Sequence, residues 1–375
     1  MRYVLAIISL LYVMTTSSVQ AQSDLLFVGT YSQRGSEGIY VFRFDRRTGG
    51  LQPLQTASND KSPSFLAIHP SGKFLYSVNE GADKAGGVSA YAIDATTGRL
   101  THLNNESSLG AGPCHISLDQ TGRLAFISNY GGGTFTVLSV EADGRLGAPL
   151  HSFSFTGNGP NRDRQEKPHI HSATVSPDNR FVYVADLGTD RLYVYAINPA
   201  SGSVMPAATP SVAVKPGSGP RHFTFHPNGK FAYLVEELTS SVATFARDEQ
   251  TGTLTPLQES VATLPGGFTE KNTSADIHTD PTGAFLYQSN RGLNALSILT
   301  IAPDGRVTLA GYQPTEGKTP RNFLVDAHSD YVLVANQESD SIVVFKRDRA
   351  SGKLSPTGQS VNVPAPVCLK LHTQR

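Results

Sequence analysis

An internal repeat dominates this sequence. Segments such as LAIHPSGKFLYSVNE, HISLDQTGRLAFISNY and GPRHFTFHPNGKFAYLVEEL share one frame, an apolar strand, a polar turn that contains Gly and a second strand. After each copy a third strand follows, and a Gly-containing turn such as TGRL leads to a fourth. Four short strands per repeat is the pattern of a β-propeller blade. We therefore predict an all-β fold made of four-stranded blades.

The spacing of the repeat gives the number of blades. Equivalent positions are separated by 50, 57, 50, 54, 46 and 46 residues, and they are Pro63, Pro113, Ile170, Pro220, Ser274, Pro320 and Pro366. The last unit is divided, because LLFVGTY near the N-terminus matches a second strand while APVCLKLH near the C-terminus matches the missing first strand. A β-sandwich or an open array of repeats does not explain this division. The sequence predicts a seven-bladed β-propeller whose N- and C-terminal strands share one blade.

The first 21 residues have the features of a signal peptide. A charged start is followed by the apolar run Val4 to Met14 and by the small-residue pattern that ends at Ala21. The apolar run is short for a membrane span, and the sequence has no second run like it. We expect cleavage near Ala21, export to the periplasm or the outside, and a single domain over 22–375 that is a monomer without a membrane span.

Composition excludes several classes of protein and of site. The 31 basic residues balance the 31 acidic ones, so a general nucleic-acid binder is disfavoured. The only two cysteines, Cys114 and Cys368, fall on blades that are not neighbours, and we predict free thiols. The sequence has no cysteine pair, His-Glu-x-x-His or Asp-rich calcium loop, so we expect neither a metal nor another cofactor.

The blade pattern also predicts where a functional site lies. Adjacent strands are antiparallel, so the start of each first strand and the end of each second strand meet at one mouth of the channel. Among these positions we predict four catalytic residues, His171, Arg221, Glu237 and Arg291. At or beside the same mouth we predict substrate-binding residues, which are Arg321, Glu80, Tyr130, His115, His169, His222 and Gln337.

These residue types suit a substrate that carries or gains negative charge. Arginine binds anionic groups and oxyanions, and a Glu or His within reach activates water or moves a proton. Three other interpretations remain open. The cluster could consist of structural ion pairs, or the ring could be a non-catalytic module that binds a protein or a polysaccharide. A quinone-dependent dehydrogenase is disfavoured because the chain has no Trp.

The segments GPRHFTFHPNGKFAYLVEELTSSV, SNRGLNALSIL and TPRNFLV resemble the seven-bladed propeller lactonase family. This family includes bacterial 6-phosphogluconolactonase and a fungal carboxymuconate lactonising enzyme. By motif, the resemblance assigns catalytic roles to His171 in KPHIHS, Arg221 in GPRH, Glu237 in EEL and Arg291 in SNRG. One departure is Glu236, which stands where the family usually has Asn.

The resemblance implies lactone chemistry on a small-molecule lactone or sugar acid. The expected activity is 6-phosphogluconolactonase-like hydrolysis of a sugar-acid lactone, and the alternative is a lactonising cycloisomerase of the muconate type. Because 6-phosphogluconolactone is made and used inside cells, an exported relative is expected to meet another lactone.

Overall fold

A computed structural model describes residues 23–59, 61–81, 86–328 and 330–373 as seven antiparallel sheets arranged in a ring. The first strands of the seven blades contact one another in a closed cycle. These seven strands surround the central channel. The prediction of a seven-bladed propeller is confirmed, whereas the predicted signal peptide lies outside the described residues.

In each blade the strands follow one another from the channel outward. The blade that joins the chain ends contains β29 (Pro366–His372), β1 (Ser23–Thr30), β2 (Gly38–Asp45) and β3 (Gly50–Ser58). Blade 1 contains β4 (Leu66–Ile68), β5 (Phe74–Val78), β6 (Val88–Ile93) and β7 (Leu100–Glu106). Blade 2 contains β8 (Pro113–Leu118), β9 (Leu124–Asn129), β10 (Thr134–Val140) and β11 (Leu146–Ser154). Blade 3 contains β12 (Ile170–Val175), β13 (Phe181–Asp186), β14 (Arg191–Asn198) and β15 (Ser203–Ala213).

The remaining blades continue the same order. Blade 4 contains β16 (Pro220–Phe225), β17 (Phe231–Glu236), β18 (Ser241–Arg247), β19 (Leu254–Pro256) and β20 (Val261–Ala262). Blade 5 contains β21 (Ser274–Thr279), β22 (Phe285–Asn290), β23 (Ala295–Ile301) and β24 (Val307–Pro314). Blade 6 contains β25 (Pro320–Val325), β26 (Tyr331–Asn336), β27 (Ser341–Arg347) and β28 (Leu354–Asn362).

Blade 4 departs from the predicted four strands because its outer strand is interrupted. Both β19 and β20 pair with β18, and Pro256 is the last residue of β19. Proline has no amide hydrogen and is confined to the edges and ends of sheets, so an outer strand tolerates this break. The described residues contain a single helical element, the 3-10 turn Gln337–Ser339, and no helix among them is long and apolar enough to cross a membrane.

The pairing register brings the predicted mouth positions together. In blade 4, Pro220 at the start of β16 pairs with Glu236 at the end of β17, and in blade 3 Ile170 pairs with Asp186 in the same way. The residues that follow, such as Arg221 and Glu237, therefore lie at the same end of the channel. This geometry confirms the predicted register.

Buried tyrosines of the second strands connect four of the blades to their neighbours. Each donates its hydroxyl to the carbonyl of a glycine in the outer turn of the next blade, and the pairs are Tyr76 with Gly144, Tyr183 with Gly252, Tyr233 with Gly305 and Tyr287 with Gly352. Glycine is required at this turn. Gly252 has a φ of 74°, and a Cβ there would lie 2.6 Å from the ring of Phe181.

We expect Tyr183→Phe to lower the free energy of unfolding by about 1–3 kcal/mol, because the buried carbonyl of Gly252 loses its donor at 2.7 Å and Nε of Arg247 loses an acceptor at 3.2 Å. Denaturant unfolding followed by fluorescence measures this loss. Tyr195→Phe is the matched control, since Tyr195 is buried on a neighbouring strand and its hydroxyl makes no hydrogen bond within the described residues. Equal stability of the two variants would contradict the prediction.

Candidate active site

Glu237 lies at the centre of an arginine cluster at the predicted mouth. Its Oε1 is 2.6 Å from Nη2 of Arg164 and 3.1 Å from Nη2 of Arg291. Its Oε2 is 2.9 Å from Nε of Arg221, in contact but without the alignment of a hydrogen bond. One carboxylate therefore faces three guanidinium groups. We call Arg164, Arg221, Glu237 and Arg291 the Glu237 cluster.

Strand ends hold three members of this cluster. Glu237 follows β17, and its amide donates to the carbonyl of Gly219 at 2.8 Å. Arg221 is the second residue of β16, and its Nη1 donates to the carbonyl of Ala275 in the next blade. Arg291 follows β22, and its Nη2 donates to the carbonyl of Ser274 at 3.0 Å. Two guanidinium groups are thus anchored to backbone carbonyls, and the backbone of Glu237 is itself fixed, before any ligand binds.

Because the Glu237 cluster is buried, its charged groups interact strongly with one another. Burial by itself would raise the pKa of Glu237, but Arg291, Arg221 and Arg164 outweigh it and hold that pKa at about 2. Burial lowers the pKa of Arg221 to about 10, and the neighbouring Arg321 and Arg291 contribute to the decrease. At neutral pH Glu237 is therefore a carboxylate that is difficult to protonate.

His171 lies beside the cluster, next to a buried thiol. Its Nε2 is 4.0 Å from Oε2 of Glu237, and its Nδ1 is 3.8 Å from Sγ of Cys114. Burial, followed by the charge of Arg221, lowers the pKa of His171 well below its usual value, so the imidazole is neutral at pH 7. Burial raises the pKa of the Cys114 thiol, which keeps it protonated and a poor nucleophile. Cys114 and Cys368 are both free, as predicted.

Arg321 extends the positive charge across the mouth. Its guanidinium lies 5.2 Å from the ring centroid of Tyr31, and it makes no ion pair or hydrogen bond with a described residue. Glu80 is close by, but it is bound by Ser64 and by the hydroxyl of Tyr31. Together with the Glu237 cluster, Arg321 and Glu80 bring the count to four guanidinium groups against two carboxylates. Such an excess of fixed positive charge favours an anion.

Three further predicted residues lie at the same mouth. Tyr130 stacks on His169 with ring centroids 4.3 Å apart, and its ring edge meets His171 at 5.3 Å. His169 is fixed by the carbonyl of Tyr130 and by Glu166. Gln337 follows β26 and begins the 3-10 turn at this end of the ring.

His115 and His222 lie deeper in the channel than we predicted. Both line a cavity of about 560 Å³ that extends toward the opposite mouth, together with Asp276, His278 and Lys370. The physical reason is that successive side chains of a strand point in alternating directions. Cys114 and Arg221 occupy the mouth-facing positions, so the next side chains project into the channel. Their substrate-binding role stays a prediction, and the structure places neither of them in the Glu237 cluster.

Arg164 is the functional candidate that sequence reasoning missed. It lies on the connection between β11 and β12, outside the repeat frame, and its Nη2 reaches both Glu237 and, at 3.4 Å, the hydroxyl of Tyr130. The adjacent Gln165 is fully buried and donates to the carbonyl of Leu187 and to Asp190, which fixes the loop. The longest repeat spacing, 57 residues, marked this insertion but did not indicate which side chain enters the site.

The space inside the mouth is small. A cavity of about 10 Å³ lies between the mouth and the wider channel, lined among others by Tyr31, Glu80, Arg221 and Arg321. This volume holds about one water molecule. A sugar-sized ligand must therefore bind on the solvent side of the cluster, where the side chain of Arg164 is 37% exposed.

Comparison with known proteins agrees with this architecture. Residues 25–371 match the family model described as lactonase, 7-bladed beta-propeller. The 6-phosphogluconolactonase of Bacillus subtilis is 36% identical over 345 residues, which cover 92% of this chain and 97% of that protein.

Two solved structures are similar to this chain in both sequence and fold. A Bacteroides fragilis protein is 37% identical with a TM-score of 0.89, over 94% of this chain and 99% of its own. The periplasmic gluconolactonase of Pseudomonas aeruginosa is 36% identical with a TM-score of 0.87, over 93% of this chain and 99% of its own. The chain belongs to the seven-bladed β-propeller lactonase family.

Proposed function

We propose that this protein hydrolyses a sugar-acid lactone at the mouth that holds the Glu237 cluster. The observation that carries the proposal is the excess of positive charge there, with Arg321 left without an ion pair. The guanidinium of Arg321 is half-buried and has no hydrogen bond or ion pair with a described residue, so it suits a ligand that is anionic or becomes so in the transition state. The names of the relatives, 6-phosphogluconolactonase and gluconolactonase, support the same substrate class.

Ring opening needs a base, an oxyanion site and an acid. Water attacks the lactone carbonyl carbon, the carbonyl oxygen becomes an oxyanion, the ring C–O bond breaks, and the ring oxygen leaves with a proton as an alcohol. In our proposal Arg321 and Arg221 stabilise the oxyanion. His171 takes the proton from the attacking water and returns it to the ring oxygen.

The structure favours His171 over Glu237 as the base. Glu237 has a pKa of about 2 and is bound by three arginines, so it accepts a proton poorly. The imidazole of His171 is neutral, and Oε2 of Glu237 at 4.0 Å stabilises the imidazolium that forms during the reaction. Glu237 then acts as the fixed negative charge beside the base.

The location of the reaction is also part of the proposal. The predicted signal peptide supports a location outside the cytoplasm, and the similar Pseudomonas aeruginosa protein is described as periplasmic. An unphosphorylated sugar-acid lactone fits this setting. The phosphorylated lactone is the necessary comparison substrate.

We expect purified residues 22–375 to open glucono-δ-lactone, 6-phosphogluconolactone or both, as measured by acid release in a pH-stat. His171→Gln and Glu237→Gln should lower kcat/KM by about a hundredfold or more, because each removes a charge or proton function at the reacting atoms. Glu259→Gln is the control, since Glu259 is exposed on the outer part of blade 4. A pure folded protein that opens no sugar lactone, or variants equal to wild type, would refute the proposal.

The pH profile tests the choice of base. A lowered pKa means that His171 stays neutral until the pH falls well below 6.5, and Glu237 with a pKa of about 2 does not titrate between pH 4 and 8. After subtraction of spontaneous hydrolysis, kcat/KM should be constant from pH 6.5 to 8, with any acid limb below pH 6.5. An acid limb centred above pH 6.5 is incompatible with His171 as the base of the free enzyme.

Arg321 gives a test that separates activity from stability. Because Arg321 makes no ion pair or hydrogen bond with a described residue, Arg321→Met should change the free energy of unfolding by less than about 1 kcal/mol, while kcat/KM falls by about a hundredfold. Arg347→Met is the contrast, because Arg347 is fully buried and pairs with Asp280 at 2.8 Å. Its loss should cost about 3–5 kcal/mol. Comparable destabilisation by both variants would assign Arg321 a structural role.

A further inference from the structure

A line of hydrogen bonds runs from Arg221 into the channel. Nη1 of Arg221 is 3.3 Å from Nε2 of His222, and Nδ1 of His222 is 2.7 Å from Oδ1 of Asp276. Oδ2 of Asp276 is 2.9 Å from Nε2 of His278 and also accepts from the side-chain amide of Asn322. The line crosses blades 4, 5 and 6 and ends at His278 in the 560 Å³ cavity.

The charges along this line determine which atoms donate. Burial by itself would raise the pKa of Asp276, but His278 and His222 outweigh it and hold that pKa well below its usual value, so Asp276 is a carboxylate. Burial and the charge of Arg221 lower the pKa of His222 to about 4, so its imidazole is neutral. A carboxylate can only accept, so Nδ1 of His222 carries the hydrogen. Nε2 is then a lone pair that accepts from Nη1 of Arg221.

The blade repeat by itself does not place an acid at this position. Asp276 is 2% exposed, and burying a carboxylate costs several kcal/mol before its partners compensate. The residues at the equivalent inner-strand position of the other blades carry no negative charge, and they are Phe65, His115, Ser172, His222, Asn322 and Cys368. The buried acid thus stands at the blade where Oδ1 reaches the histidine behind Arg221, while Oδ2 accepts from Asn322 and from the amide of Phe323 in blade 6.

As a result, the N–H groups of Arg221 face different partners. Nη1 is occupied by His222 and by the carbonyl of Ala275, and Nε faces Glu237. Nη2 makes no hydrogen bond with a described residue, and Arg221 lines the small cavity of the mouth. The guanidinium is held from behind, with one NH₂ group left for a ligand oxygen. Preorganised donors of this kind stabilise developing charge without reorganisation.

We propose that His222 and Asp276 are positioning residues for Arg221, and that Asp276 fixes the His222 tautomer that accepts from Nη1. This inference rests on the proposed function, because it assumes that Arg221 binds an oxygen that gains charge during lactone opening. His222 acts through Arg221 and does not contact the substrate in this arrangement.

Two substitutions at His222 separate positioning from packing. His222→Phe keeps a planar ring but removes both nitrogen atoms, whereas the amide of His222→Gln can accept from Arg221 and donate to Asp276. On the lactone that wild type opens fastest, we expect His222→Phe to lower kcat at least tenfold with KM within about twofold, and His222→Gln to retain at least a third of kcat. Their melting temperatures are measured in parallel.

The outcomes are distinct. His222→Phe with wild-type kcat, a rise in KM alone, or equal loss in both variants would overturn the positioning role. If wild type opens no lactone, the proposed function is refuted. The tautomer of His222 is then tested independently of activity. For that purpose, nitrogen-15 NMR of histidine-labelled wild type at pH 7 should show Nδ1 of His222 protonated and Nε2 bare, and Asp276→Asn should shift both signals. Protonated Nε2 in wild type would overturn the inference whatever the activity.

Discussion

The closure of the ring by β29 and β1 is the constraint on which the rest of the molecule depends. Leu26 pairs with Leu371 and Val28 with Leu369, so the two chain ends form adjacent strands of one blade. Closure fixes the seven first strands around a narrow channel and sets the distance between side chains of neighbouring blades. Glu237, Arg221 and Arg291 come from two blades, and they meet because this circle cannot open or slide.

The site is built from strand ends, and this explains its rigidity. Arg221 and Glu237 belong to paired strands of one blade, and Arg221 also bonds to the backbone of the next blade. A guanidinium on a surface loop would lose conformational entropy on binding a ligand, whereas one held by a neighbouring carbonyl has already lost it. Arg164 differs because it comes from a loop, yet buried Gln165 anchors that loop next to it.

Much of this could be read from the sequence because propellers repeat in register. The equivalence of Ile170 and Pro220 was enough to predict that His171 and Arg221 share a mouth, and the structure places both side chains within 4.0 Å of Oε2 of Glu237. Arg164 could not be found in this way, since an insertion has no counterpart in the other blades. The depth of His115 and His222 was also missed, because a shift by one residue along a strand turns the side chain from the mouth into the channel.

The balance of charge connects the Glu237 cluster at the mouth with His222 and Asp276 deeper in the channel. Glu237 compensates the three arginines of its cluster only in part, and Asp276 supplies a second negative charge on the opposite side of Arg221, through His222. If Asp276 contacted Arg221 directly, it would neutralise the cation and reduce its attraction for a ligand oxygen. A neutral imidazole between them maintains the orientation of the guanidinium while keeping the carboxylate at a distance. The positive charge therefore remains available at the mouth, and the cost of burying it is shared between two blades.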